Sequence, residues 1–435
     1  MRGSWLRIRD ALRHELWPLP LLAVAVGIVA GVLLPWLDGM LGDPAEPWAT
    51  LTVGGGADAA RSLLTTIATS IMTVTSLTFS LTVVTLQLAS SQYTPRMLRT
   101  FSSDRVVHWT LAAFLGTFTY AIVVLRTVRS RDTGDEFVPH LAVTFAFVLG
   151  LGSIAALVLF LAHLAREIRA ENILDQLRKN GIAGIERHYP PAGSGATRKL
   201  PDQPKVLIRS HGSGFLTSVE LAEVAAVGTE LGRTIHFVAQ PGEYVLEGTT
   251  LAVADGPDLP EDETARLASR VNDSVQLGPE RTQLMDTSLA LTQLADVAAR
   301  ALSPGTNDPT TAIHAIRHAS AVLVRALRRD CGPVSRIDAE SGTGATLPLP
   351  DFAELLDKTF TPVRTYGQQD PEIVRALAAA VGGIAANDAA HRHGATLLEF
   401  LRNLEGSVDA ASLIEHDRAN ALESIARARS LCTDA

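Results

Sequence analysis

The pattern of hydrophobic and polar positions divides the chain near residue 166. Before it lie four long apolar runs: Trp17 to Leu37, Ser62 to Ala89, Val107 to Leu125 and His140 to Leu164. Each is near or above the roughly 18 to 20 residues with which a helix crosses a bilayer. No comparable uncharged run follows Arg166. The pattern predicts an N-terminal segment over 1–16 and a transmembrane domain over 17–165. Its spans are expected at about 17–37, 62–90, 107–126 and 140–165. The first run is too long for a signal peptide, and "WLDGMLGDP" has no small-residue cleavage site, so it is read as a retained span.

Beyond the fourth span the periods shorten and alternate. Residues 166–200 read as a helix ("LAREIRAENILDQLRKNG", stopping at Gly181) and a linker rich in Pro, Gly and Ser. Residues 201–256 read as a small α/β module. "KVLIRS", "RTIHFVA", "EYVLEG" and "TTLAVAD" are its expected strands. "TSVELAEVAAVGTEL" is its expected helix, capped by Thr217 or Ser218. The stretch "PGEYVLEGTTLAV" resembles the hairpins of lipoyl-type barrel-sandwich domains. A carrier lysine would sit at the hairpin tip, yet no lysine lies between Lys205 and Lys358, so only the shape carries over. Residues 257–435 show apolar positions at three- and four-residue spacing and predict a helical bundle, with "DCGPVSRIDAESGTGATLPLPD" as a loop. The expected fold class is therefore mostly α. A four-helix transmembrane domain precedes a cytosolic domain made of a small mixed, barrel-sandwich-like module and a helical bundle.

Charge adds an orientation. Arg2, Arg7, Arg9 and Arg13 precede the first span, acids dominate the first connection, and Arg96, Arg99 and Arg105 occupy the second. By the positive-inside rule both termini face the cytoplasm, and the protein is expected as a multi-pass component of the cell's inner (plasma) membrane. Residues 1–165 carry eleven Arg and ten acids, net +1; residues 166–435 carry 27 Lys or Arg and 36 acids, net −9. So acidic a C-terminal part argues against nucleic acid as a partner. Two distant cysteines, Cys331 and Cys432, suggest neither a disulfide framework nor a metal knuckle.

The second span is the chemical oddity. Eleven of the 21 residues from Thr65 to Thr85 are Ser or Thr. At 100° per residue the hydroxyls fall into two opposite rows. Thr69, Thr73, Ser76, Ser80 and Gln87 form one; Thr75, Thr78, Thr82 and Thr85 form the other. A hydroxyl can hide by bonding a carbonyl of its own helix, and small residues allow close helix packing. One row is explained that way. Two rows require two polar or close-packed neighbours. A helix packed on both rows at the centre of a bundle would satisfy them; alternatively the first row, which Gln87 extends, lines a hydrated path between subunits, with Arg96 and Arg99 at its cytoplasmic mouth or anchoring the helix to head groups, and the second packs on other spans.

A second candidate lies in "RALSPGTNDPTTAIHAIRHA". Pro304 and Gly305 stop one helix; Asp308 caps the next and Pro309 starts it. The stretch is complete as a structural corner. The alternative is a ligand site at a helix N-terminus, lined by Asn307, Asp308 and Thr310.

The spans' "TSLTFSLTVVTLQLASSQYTPRML" and the later "ALSPGTNDPTTA" resemble a bacterial family known as predicted membrane proteins of unknown function, number 2254. The likeness covers nearly the whole chain. It implies this order of spans and soluble domain, and it supplies no activity, substrate or catalytic residue.

Enzyme signatures are missing. No Gly-rich stretch leads into Lys and Ser or Thr, and no G-x-S-x-G elbow occurs. His314 and His318 stand four apart on a helix but lack a third ligand, and His391 and His393 read as surface residues at a helix start. No catalytic residue, metal or cofactor is expected. Two functions remain. One is a homo-oligomeric channel or transport protein passing a small ion or anion. The other is a membrane-anchored scaffold or ligand-sensing regulator. Both have the lipid bilayer as partner.

Overall fold

A computed structural model describes residues 17–41, 56–92, 105–129, 137–167, 170–193, 206–256 and 259–433. The chain divides into two compact units, Met1–Arg169 and Ala170–Ala435.

The first unit is built on α1 (Pro18–Leu41), α2 (Ala57–Gln92), α3 (Arg105–Leu125) and α4 (His140–Glu167). All four are long and apolar enough to cross a bilayer. The third is the central one. Half of its apolar window is buried, against 17 to 22% for the others, and it touches α1, α2 and α4. A central second span would be one way to satisfy both hydroxyl rows, and the structure does not place α2 there. It is peripheral instead, packing on α3 and α4. Small residues decide the closest approach. A Cβ on Gly27 of α1 would lie 2.7 Å from the Gly116 carbonyl of α3, so the two backbones meet where neither helix carries a side chain. Polar groups then tie the ends. Asp38 at the end of α1 accepts the Leu141 and Ala142 N–H groups at 3.1 and 3.0 Å, capping α4. The Tyr120 hydroxyl donates to the Ala142 carbonyl at 2.9 Å.

The second unit opens with α5 (Ala170–His188). This helix runs straight through Gly181, which the sequence had marked as a stop. A Cβ at Gly181 would lie 3.0 Å from the Val322 methyls and 3.3 Å from Ala290 Cβ. The glycine lets α5 pack closely on α8 (Leu289–Ala301) and α9 (Pro309–Ala326) rather than ending it.

Among the described residues eight short strands follow: β1 (Val206–Arg209), β2 (Gly214–Val219), β3 (Thr234–Phe237), β4 (Tyr244–Val245), β5 (Thr250–Ala254), β6 (Val275–Gly278), β7 (Val334–Ile337) and β8 (Gly344–Leu347). They form a five-stranded sheet, β1-β5-β3-β8-β7, and a three-stranded sheet, β4-β2-β6. Four strands fall where the sequence reads otherwise. β6 follows directly on α7 (Glu261–Asp273), inside a stretch that reads as one helix. β7 and β8 form a hairpin inside the expected loop, and β8 pairs in parallel with β3, Thr234 opposite Gly344 and His236 opposite Thr346. Thr217 and Ser218 are not caps. They lie in β2, which pairs with β6, and α6 (Leu221–Glu230) starts after them from Glu220 with no side-chain cap.

The remaining helices, α10 (Phe352–Gly367), α11 (Pro371–Ala385), α12 (Gly394–Ala410) and α13 (Glu415–Thr433), pack with α8 and α9 into the bundle. Asp351 and Glu354 form a complete capping box on α10, and Asp370 caps α11.

Candidate functional site

The two hydroxyl rows of α2 meet different surroundings. Thr75, Thr78, Thr82 and Thr85 are buried, at 8, 1, 8 and 6% exposure. Thr69, Thr73, Ser76, Ser80 and Gln87 are all exposed. The cause is visible in the apolar residues between them. Leu81 packs against Val107, Leu111, Phe160 and Leu164, and Leu64 and Ala68 share a core with Ala121 and Val124. These contacts turn the Thr78 face toward α3 and α4 and the Ser76 face outward.

Three of these four buried hydroxyls find a partner in their own helix. Thr75, Thr82 and Thr85 donate to the carbonyls of Ile71, Thr78 and Leu81 at 2.7, 2.8 and 2.9 Å. On the exposed row Thr73 donates to Thr69 at 2.9 Å. Back-bonding of this kind masks much of a hydroxyl's polarity in an apolar medium. It is less open to the primary amide of Gln87, which carries two donors and an acceptor. Arg96 and Arg99 lie outside the described residues.

The contrast with the other spans is sharp. α1 exposes Leu21, Leu22, Val26, Val29, Val32 and Trp36, and α4 exposes Phe147, Val148, Leu151, Ile154, Val158 and Leu159. Those surfaces suit hydrocarbon. α2 exposes apolar residues too, Leu77 and Phe79 among them, but interleaves them with the hydroxyl row.

The corner between α8 and α9 forms as the sequence predicts. Asp308 is the N-cap and Pro309 the first helical residue. One carboxylate oxygen accepts from the Thr311 N–H at 3.1 Å and the other from the Thr311 hydroxyl at 2.5 Å. Those bonds hold the carboxyl below its ordinary range. Asn307 takes a left-handed backbone, φ 47°, which Asn tolerates better than most residues. Asn307 and Thr310 are exposed and Asp308 half-buried. The partner that matters is Thr311, which the sequence reading passed over. The capping carboxylate itself occupies the N–H that an anion would need.

Family comparison agrees with this architecture. A family model described as "Predicted membrane protein (DUF2254)" matches residues 13–382. The chain belongs to that family. Uncharacterized proteins of Mycobacterium bovis and Mycobacterium tuberculosis are 33% identical to it over 395 residues, covering 87% of this chain and 73% of theirs. No solved structure matches.

In this DUF2254 member two other buried polar groups of the C-terminal unit, His236 and Asp286, hold elements together. His236 (1% exposed) joins strands through Thr346 at 2.7 Å and Asp255 at 3.2 Å. Asp286 accepts from Arg281 Nε at 2.7 Å and from the Ser288 N–H and hydroxyl at 3.1 and 2.9 Å. Among the described residues no three His, Cys, Asp or Glu side chains converge as metal ligands. His314 and His318 are half-buried along α9, and His318 lies near Arg178 and Asp175 of α5. His393 is not the surface residue its sequence context suggests. It is half-buried, stacked on Phe352 with ring centroids 4.2 Å apart.

Sequence reasoning also overlooked buried polar residues on the other spans. Thr110 and Thr117 of α3 and Ser153 of α4 are buried at 4, 3 and 2% exposure, and the Thr117 and Ser153 hydroxyls lie 3.1 Å apart. Thr110 and Thr117 are seven residues apart and so share a helix face. That spacing was the signal available.

Proposed function

We propose that the protein is a homo-oligomeric channel or transport protein of the inner (plasma) membrane, with both termini cytoplasmic and no enzymatic activity. In this reading α2 of each copy turns Thr69, Thr73, Ser76, Ser80 and Gln87 toward a hydrated path between copies. A small ion or anion passes along it, and the C-terminal unit assembles or gates the path. Arg96 and Arg99 follow in sequence at its cytoplasmic end. The observation that carries the reading is the exposed hydroxyl row on a bilayer-crossing helix whose opposite hydroxyl row is already buried. Packing within one chain accounts for the buried row alone. Uncharged polar side chains are suited to lining a selective passage, because they replace water without trapping an ion.

The test is flux through vesicles reconstituted with the full chain. Ser76→Ala and Ser80→Ala remove the hydroxyl with little change in side-chain bulk. They are expected to lower flux several-fold while the oligomer stays intact. Flux no greater than that of empty vesicles for the unaltered chain defeats the reading. The net charge of −9 over residues 166–435 favours a second reading, a membrane-anchored scaffold or ligand sensor whose acidic unit recruits a partner. That reading expects no flux and a chain that is monomeric in detergent.

A further inference from the structure

We infer that each transmembrane bundle holds an internal water molecule at Thr78, between α2 and α3. Thr78 is 1% exposed, and its hydroxyl has no hydrogen-bond partner in the protein. Thr75, Thr82 and Thr85 on the same face donate back to the carbonyl four residues earlier. Thr78 does not, although the same geometry is open to it. A buried hydroxyl without a partner forfeits the bond it would make in water, and buried polar groups are almost always satisfied by protein or by ordered water.

The fold places Thr78 inside the bundle rather than toward lipid. Leu81 packs on the cluster containing Val107 and Leu111 near one end of α2; Leu64 and Ala68 share a core with Ala121 and Val124 near the other. The two helices are therefore antiparallel, and Thr78, one turn from Leu81, comes level with Thr110 to Phe114. Thr110 is buried there, and the Thr117–Ser153 hydroxyl pair lies about two turns further along α3. An internal water needs two to four polar partners. The Thr78 hydroxyl and helix carbonyls with a spare lone pair supply them. All these groups belong to one chain, so the site stands apart from any path between copies.

The test uses the full chain in lipid bilayers, with isotope-labelled threonine and solid-state NMR transfer of polarisation from water. Thr78→Ser keeps the hydroxyl and deletes one threonine signal, which assigns it. Thr78→Val keeps the shape and deletes the hydroxyl. The inference expects rapid transfer from water to Thr78, and it expects Thr78→Val to lower the melting temperature in detergent by about 3 °C or more relative to Thr78→Ser. A Thr78 signal that receives no polarisation from water overturns it. So does a Thr78→Val protein that melts at or above the unaltered chain, since a methyl replacing a dry, unpaired hydroxyl should stabilise.

Discussion

Single carboxylates and imidazoles set the local chemistry of the C-terminal unit. Asp308 satisfies α9 with both oxygens on Thr311. Asp308→Ala should cost about 1 kcal/mol, while Asp308→Asn and Asp308→Ser should be nearly neutral, read by thermal melting. Equal function in Asp308→Asn would leave the corner a purely structural device; altered ligand binding at unchanged stability would mark it as a site. Its folded-state pKa is lowered, first by the Thr311 hydroxyl bond. The stability it supplies is therefore present above the unfolded carboxylate value and is lost as pH falls through the folded one. Histidines respond in a higher window. His188, His318 and His393 all have lowered pKa values, burial being the largest cause in each. The unfolded chain takes up these protons first, so stability should fall as pH drops below about 6.5. Calorimetric scans between pH 7.5 and pH 5 should show that slope, and His393→Gln should reduce it. Gly242 is a steric case. At φ 92° a Cβ would come 2.1 Å from Asp286 Oδ2, against the Arg281 pair. Gly242→Ala should cost about 3 kcal/mol or more, because it strains the turn and dislodges a buried charge from its partner.

At the scale of elements, α2 shows what could be read beforehand and what could not. Its two rows were legible because a helix repeats every 3.6 residues and the hydroxyls follow that repeat. The repeat alone does not say which row is buried, since both rows are interleaved with comparable Leu, Val and Phe; Gln87, whose amide bonds back to its own helix less easily than a hydroxyl, points to burial of the other row. Contacts with α3 and α4 choose. Leu placed at Thr82 should therefore overpack the bundle and cost about 1 to 3 kcal/mol, whereas Leu at Ser80 should leave the fold of one chain intact and disturb assembly. Denaturation in detergent and cross-linking in membranes separate the two effects. The strands show the opposite limit. β8 reads as a Gly- and Thr-rich loop because its stability comes from pairing with β3, about a hundred residues earlier, and local composition carries no trace of that pairing. Thr217 and Ser218 look like helix caps for the same reason; pairing of β2 with β6 overrides the local preference. Gly181 has the composition of a stop and the role of a close-packing position. Where a rule concerned one turn of chain, as with Asp308, Pro309 and the Asp351 capping box, the sequence sufficed.

For the whole molecule, four apolar helices and a separate acidic unit define a membrane protein of the DUF2254 family, and the unsolved part is what the exposed face of α2 meets. The natural cysteines make that question accessible. Cys331 is pushed up to about 12 by burial, and burial also raises Cys432. Thiolate is the reactive form, so the unaltered chain should remain unlabelled by maleimide at neutral pH. Single cysteines then report on α2 against a silent background. The most direct measurement is labelling of full-length chains in native membranes with a charged, membrane-impermeant thiol reagent, with cysteine placed in turn at Ser76, Ser80, Leu77 and Thr75. A hydrated path between copies predicts fast labelling at 76 and 80 and protection at lipid-facing 77 and buried 75. Equal protection at all four positions would contradict it and leave helix packing as the whole reason for the hydroxyls.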